Sequence, residues 1–246
     1  MSNINQTLIN FKILTLFPQS FPSLLGYSII GEALNKKIWD YQAINIRDYA
    51  IDKRGTVDDI PYGGGAGMVL KPDVIANAIE NNLSPNIKKI IYLSPRGKVF
   101  DQNYARLLAQ EKEIMFLCAR YEGVDQRVLD EYNIEEVSLG DFILSGGEIA
   151  CLAMIDAIVR NCEGVLGDKL SLAEESFGDG KNQYTNLLEY PHFTRPSIWR
   201  ERPVPEVLLS GNHKNIEQWR EEQAKKITAL VRPDLFAKYQ AKNNSN

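Results

Sequence analysis

Short apolar runs alternate with amphipathic stretches along the first two-thirds of the chain. FKILTLF (Phe11–Phe17) is brief, rich in apolar residues and closed by Pro18, as a buried strand is. In the following SFPSLLGYSIIGEALNKK, Leu24, Leu25, Ile29, Ile30, Ala33 and Leu34 fall on one face of a helix, and YQAINIRDYA then alternates as a strand does. Asp52–Leu70, with GTVDDIPYGGGAGM, is polar and glycine-dense and predicts a loop. PDVIANAIENN opens on Pro72 and carries Asp73 near the positive end of its dipole, so it reads as a helix. Lys88–Ser94, Glu113–Ala119 and Glu135–Leu144 predict further strands, with helical stretches between them near Asp101–Gln110 and Asp125–Glu131. Glu148–Cys162 is a strongly apolar helix ending before Gly164. Strands alternating with helices predict an α/β fold with a parallel sheet covered on both faces. In such sheets ligands bind beyond the carboxyl ends of the strands.

The pattern changes further on. Residues 167–190 are polar and lose periodicity, which predicts a flexible interdomain linker between a body at 1–166 and a small helical domain at 191–246. In that last part KNIEQWREEQAKKITALV (Lys214–Val231) places Ile216, Trp219, Ala224, Ile227 and Leu230 in an approximately helical stripe.

Composition narrows the class. With 44% apolar and 24% charged residues in 246, the chain has enough material for a globular core. No apolar run reaches the roughly 18 residues of a membrane span, and MSNINQTLIN has no secretory-signal pattern. Cys118, Cys151 and Cys162 form no CxxC pair, which fits reduced thiols in the cytoplasm. Two histidines, His192 and His213, give no structural zinc pattern. The net charge of −4 hides an asymmetry: residues 191–246 hold 10 Lys and Arg against 6 Asp and Glu. A basic segment beside an acidic body can supply local phosphate contacts, although a solvated helical surface is the simpler explanation of the charge alone.

Chemistry gathers after the three late strands, in YLSPRG (Tyr92–Gly97), CARYEGVD (Cys118–Asp125) and SLGDFILSGGE (Ser138–Glu148). Glycine there lets backbone approach a flat ligand, whose edge N–H and C=O groups can read. Ordinary turn chemistry explains any one of them; three at equivalent strand ends point to a binding site of unspecified ligand. PYGGGAGM lacks the GK[ST] ending of a phosphate loop, and Met68 fills the third-glycine position of GxGxxG. It is a surface loop or a substrate-facing one.

RGTVDDIPYGGGAGM, IYLSPRG, CARYEGVDQRV, SLGDFILSGGE, GVLG, EESF, PHFTRP and LLSGNH occur in this order, and together they resemble the TrmD family of bacterial tRNA (guanine-N1)-methyltransferases. The likeness runs from about Lys12 to Leu235. It implies a SPOUT methyltransferase fold, a parallel sheet whose last part is tied in a trefoil knot, with the small helical domain binding tRNA. It implies a homodimer whose active sites are shared between subunits, and methylation of guanine N1 at position 37 of tRNA by S-adenosyl-L-methionine. Magnesium also favours the family's reaction, although no dedicated carboxylate cage is visible for it.

By this resemblance the donor pocket is built from Tyr92, Leu93, Ser94 and Pro95, then Ala119, Tyr121, Glu122 and Gly123. The third loop contributes Leu139, Gly140, Asp141, Phe142, Ile143, Leu144, Gly146 and Gly147. Ala119 stands where the family usually has glycine, and Phe142 where tyrosine is common. Guanine N1 carries a proton at neutral pH and needs a base; the family's aspartate is matched here by Glu175, one methylene longer, with Glu174 beside it able to share the task. Arg160, near the end of the apolar helix, complements the helix dipole; by resemblance it reaches the guanine from the partner subunit. His192, Arg195, His213 and Arg220 are candidates for RNA contact, with Trp219 as either a contact or core. KNQYTN lengthens the chain between Gly180 and Leu187 relative to shorter relatives. A different SPOUT RNA methyltransferase and a catalytically silent RNA-binding relative are the alternative readings.

Overall fold

The computed structural model describes residues 9–166, 175–178 and 183–244, so Glu174 and much of the expected linker lie outside the described residues. Two compact units divide the chain, Met1–Gly167 and Asp168–Asn246.

The first unit is built on a five-stranded sheet in the order β2-β1-β6-β5-β7. Its strands are β1 (Ile9–Thr15), β2 (Trp39–Asn45), β5 (Ile87–Val99), β6 (Glu113–Leu117) and β7 (Glu135–Ser138), while β3 (Asp58–Asp59) and β4 (Val69–Leu70) form a small separate pair. Every neighbouring pair in the large sheet is parallel. Successive side chains of a strand point to opposite faces, which sorts them between two layers. In β6, Ile114 and Phe116 pack with α1 (Ser28–Asn35) and α5 (Glu148–Val159), whereas Met115 and Leu117 pack with α2 (Pro72–Glu80) and α4 (Gln126–Glu131). This is the doubly covered parallel sheet that the alternation of elements predicts.

Local chemistry sets several element ends away from the expected ones. The helix expected from Ser20 starts only at Ser28, after short 3-10 turns at Pro18–Ser20 and Ser23–Gly26. Gly31 explains the delay: a Cβ there would lie 2.3 Å from the backbone of Gly26, so the incoming chain crosses the helix at Gly31. Leu24 is thereby left 80% exposed instead of joining the apolar face. The second strand stops at Asn45, whose side chain accepts the Arg47 N–H at 3.1 Å and turns the chain into a 3-10 helix, Ile46–Tyr49. Asp101 and Asp125 cap α3 (Gln102–Leu108) and α4 by accepting N–H bonds from Tyr104 and Arg127.

The second unit holds the hairpin β8 (Ile198–Trp199) and β9 (Arg202–Pro203), then α6 (Glu206–Leu209), α7 (His213–Val231) and α8 (Pro233–Asn244). Its core is Tyr184, Leu187, Tyr190 and Ala224, with Phe236 and Tyr239 against it. The end of the segment expected as a linker is therefore packed onto α7. The apolar stripe is rotated from the expected one: Leu230 is 84% exposed, and Thr228 is buried instead. Its hydroxyl donates to the Ala224 carbonyl at 2.6 Å and accepts the Leu188 N–H at 2.8 Å. Among the described residues no helix is long and apolar enough to cross a membrane.

Candidate active site

Beyond the carboxyl ends of β5, β6 and β7 lies a cavity of about 260 Å³. That is near the lower edge of small-molecule pockets, about 300–1,000 Å³.

Each wall follows from a break in strand pairing. In the first, β5 pairs with β7 through Leu93 and again through Lys98, both opposite Val137, so Ser94–Gly97 bulge out of the ladder. Only glycine fits at the return, because a Cβ on Gly97 would stand 2.3 Å from the Val137 nitrogen. The strand expected to end at Ser94 thus resumes and runs to Val99. The second wall turns at Tyr121 (φ 59°) and Gly123 (φ 112°). A Cβ on Gly123 would meet the Tyr92 hydroxyl at 2.6 Å, which ties the second wall to the first. Burial, with Glu136 adding to it, raises the Tyr92 pKa above the usual phenol value, so the group stays a protonated donor.

The third wall corrects an expectation. The strand expected to Leu144 ends at Ser138, whose hydroxyl bonds both the N–H and the carbonyl of Gly140 at 3.1 Å, with Gly140 at φ 151°. Residues 139–147 are loop, and Phe142 and Ile143 are 54% and 82% exposed at its rim. The loop returns to the sheet where the Gly147 N–H donates to the Ala119 carbonyl at 3.1 Å. A Cβ on Gly147 would lie 2.8 Å from the Cα of Cys118.

Of the sixteen residues expected at a donor pocket, fifteen line this cavity; Asp141 does not. Val137 and Ala150 line it as well and were not anticipated, as do Arg120, Ser138 and Ser145, which lie in the loops singled out above but were not named for the pocket. Arg120 is the most consequential of these. Its Nη2 is 3.0 Å from Glu148 Oε2, its Nη1 donates to the Ser145 carbonyl at 3.1 Å, and its guanidinium lies 4.4 Å from the centre of the Phe17 ring. Glu148 is buried, and its Oε1 accepts from the Thr15 hydroxyl at 2.8 Å. By distance Arg120 and Glu148 are an ion pair, yet Glu148 Oε2 has no aligned hydrogen bond among the described residues, so we read the contact as Coulombic. A carboxylate at the first position of a strongly apolar helix, and an arginine inside CARYEGVD, were the signals available for this pair.

The glycine-rich loop joins the cavity's second wall. Glu122 N–H donates to the Met68 carbonyl and Leu70 N–H to the Gly123 carbonyl, both at 2.9 Å, and a Cβ on Gly67 would meet the Glu122 side chain. Gly63, Gly64 and Gly65 have nothing within 4 Å of a Cβ, and Tyr62 is fully exposed.

The two expected catalytic residues fall in different units. Arg160 is the C-cap of α5, half-buried and absent from the cavity lining. The cavity adjoins the other end of this twelve-residue helix, about 18 Å away at ~1.5 Å per residue. Glu175 lies half-buried in a turn of the second unit, where its carbonyl accepts the Gly178 N–H at 3.0 Å and Phe177 N–H donates to Leu187 at 2.7 Å. Among the RNA candidates, His192 is exposed with Nε2 2.8 Å from Glu189, and His213 is exposed at the first position of α7. Arg220 is half-buried, 4.8 Å over the Tyr190 ring, and Trp219 meets Phe193 edge-on at 6.1 Å. Arg195 is exposed and lines a second cavity of about 260 Å³ with Phe193, Val204 and Leu208. No three His, Cys, Asp or Glu side chains converge to hold a metal among the described residues.

Comparison with known proteins matches residues 9–238 to the family described as tRNA (Guanine-1)-methyltransferase TrmD. The chain is 50% identical to the tRNA (guanine-N(1)-)-methyltransferase of Rickettsia akari (strain Hartford) over 231 residues, 94% of this chain and 98% of that one. It is 51% identical to the enzyme of the same name from Rhodospirillum rubrum over 233 residues, 95% of each chain. Agreement at this level along the whole length bears out the resemblance read from the motifs, and the chain belongs to the TrmD family of tRNA (guanine-N1)-methyltransferases.

Proposed function

We propose that this chain methylates guanine N1 at position 37 of tRNA in the cytoplasm, using S-adenosyl-L-methionine bound in the cavity of the first unit. Family membership along the whole chain carries this reading, and the cavity supports it. A nucleoside-sized recess walled by glycine backbone, with the apolar side chains of Phe142, Ile143 and Leu144 at its rim, suits a flat purine and a thioether-like chain. The donor supplies a methyl carbon made electrophilic by its positive sulfur. Tyr92, Ser94, Gly123 and the 139–147 loop would hold it.

The remaining chemistry belongs to side chains. Glu175 takes the N1 proton of guanine and leaves the lone pair in the ring plane free; with the donor bound, the N–C bond would form there as the methyl–sulfur bond broke and its electron pair stayed with sulfur as a neutral thioether. Negative charge then accumulates on O6, and Arg160 stabilises it as a fixed cation. Because Arg160 sits at the far end of α5 from its own cavity, we assign it to the cavity of a second copy, which makes the working unit a homodimer with shared sites. The trefoil knot belongs to the same proposal; what supports it is the close interlocking of the three walls, with Gly97 against β7 and Gly147 bonded to Ala119. Magnesium is included as a favouring ion without assigned residues.

The test is transfer from labelled donor to a tRNA transcript with guanosine at 36 and 37. Methylation is expected with guanosine at 37 and lost with adenosine there. Label that persists after that replacement would overturn the positional claim, and no incorporation by folded, tRNA-binding protein would point to a silent relative.

A further inference from the structure

The segment from His192 to Pro203 is exposed at every position although its backbone is well formed. Val204 N–H donates to the Ser197 carbonyl at 2.8 Å, and above that bond Ile198–Trp199 pairs antiparallel with Arg202–Pro203. The two turn residues, Arg200 and Glu201, have φ of 48° and 64°. Paired positive φ values define the two-residue hairpin turn that ordinarily uses Asn-Gly or Gly-Gly, because a Cβ is costly in that region. Here an arginine and a glutamate occupy it. The Arg200 guanidinium lies 4.8 Å over the Trp199 ring, and that indole is still 55% exposed. Ser197 and Val204, at the base of the hairpin, also line the second cavity with Phe193 and Arg195.

We infer that this hairpin is an RNA-stacking element: an unpaired base of the tRNA stacks on Trp199, and Arg195, Arg200 and Arg202 meet the adjoining phosphates. The inference rests on the tRNA reading above and deepens it. Three arginines against the single carboxylate of Glu201 make the patch complementary to a polyanion and repellent to a second copy of itself. An aromatic face flanked by guanidinium groups is what binds a single-stranded base irrespective of its identity. The turn chemistry fits the same role, since Asn-Gly would be the easier turn but would carry no cation over the indole.

The chain has three tryptophans, and Trp39 is fully buried while Trp219 is half-buried, so Trp199 is the fluorophore most open to quenching by a stacked base. Full-length protein is titrated with a guanosine-37 transcript, and KM for tRNA is measured alongside. Trp199→Ala is expected to raise both Kd and KM for tRNA roughly 5- to 100-fold, to abolish most of the quenching and to leave donor affinity unchanged. Trp199→Phe should recover most of the loss. The double variant R200N/E201G gives the hairpin its easier turn, so it keeps the fold while the slope of log K against log salt drops by about 1. Unchanged tRNA affinity for Trp199→Ala, in protein that methylates tRNA as the parent does, overturns the hairpin assignment and leaves the tRNA reading intact. A parent that neither binds nor methylates tRNA sinks the tRNA reading itself. A shift of Trp199→Ala from dimer to monomer in light scattering places a second copy on the hairpin and overturns the inference.

Discussion

The three walls of the cavity and the hairpin of the second unit are both irregular, glycine- or proline-bearing stretches beside regular elements, yet they are held in opposite ways. The walls close tightly on one another: a Cβ on Gly97 or Gly147 would collide with neighbouring backbone, and one on Gly123 with the Tyr92 hydroxyl. Behind them Thr15, Glu148 and Arg120 form a charged brace from the end of β1 to the start of α5. Among the described residues no such brace holds the hairpin, and its twelve-residue segment offers side chains to solvent throughout. The difference matches what each is proposed to hold. A small ligand of fixed shape needs a preorganised cavity, since a ~1 Å misplacement can cost on the order of 100-fold. A polyanion with many equivalent charges can be met by exposed cations whose geometry is approximate.

The comparison can be broken most sharply at Glu175, which belongs to neither region and is proposed as the base. Glu175→Gln is expected to reduce single-turnover methyl transfer by roughly a hundred- to ten-thousand-fold, the usual worth of a positioned base, while donor and tRNA affinities stay within a factor of two or so. Turnover equal to the parent's would remove Glu175 from the chemistry. If Arg160 serves a partner's site, inactive Arg160→Ala and Glu175→Gln chains should regain activity when subunits are exchanged. Complementation absent despite confirmed exchange would confine each site to one chain.

Legibility in the sequence divides along the same line. The parallel sheet was readable because short, nearly continuous apolar runs such as FKILTLF and EIMFLCA mark strands buried on both faces, and every one of the five large-sheet strands overlaps a run that was noted. The three loops of the cavity were readable too, since a strand end followed by glycine is a local pattern, while the individual pocket residues came from the family resemblance. What escaped depends on contacts distant in sequence. Arg120 and Glu148 are 28 positions apart and Thr15 lies a further 105 before Arg120, and nothing local states that they meet. The end of β7 was missed for a different reason: FIL after Gly140 has strand-like composition, but the Ser138 hydroxyl takes the Gly140 backbone and turns the chain away. Leu230 was assigned to the core on helical spacing, and buried Thr228 took that place because its hydroxyl satisfies the Leu188 N–H.

The brace supplies the next prediction. Arg120→Ala leaves Glu148, with only 5% of its side chain exposed, without its cation. Breaking a buried pair from one side costs about 3–5 kcal/mol, so the first unit should unfold at markedly lower denaturant, and donor affinity should fall with it. Arg120→Lys keeps the charge but cannot reach both the Ser145 carbonyl and Glu148 with one planar fork. It should recover most of the stability and less of the donor affinity. Equal donor binding in the parent and both variants would show that the brace does not set the cavity.

The smallest effect expected is in the second unit, at Thr228. Replacing it by valine conserves shape and removes one hydroxyl that makes two hydrogen bonds. The loss at the Ala224 carbonyl matters little, because that oxygen already faces the Thr228 N–H one helical turn on. The loss at the Leu188 N–H matters more, since it leaves a part-buried donor without its acceptor, at about 1–2 kcal/mol. Thr228→Val should therefore lower the unfolding midpoint of the second unit and weaken tRNA binding, with donor affinity in the first unit unchanged. Thr228→Ser keeps the hydroxyl and removes a methyl worth about 0.8 kcal/mol by burial, so it should be the milder change. If serine is instead the worse of the two in urea denaturation, methyl packing and not the hydrogen bond holds residues 184–190 against α7.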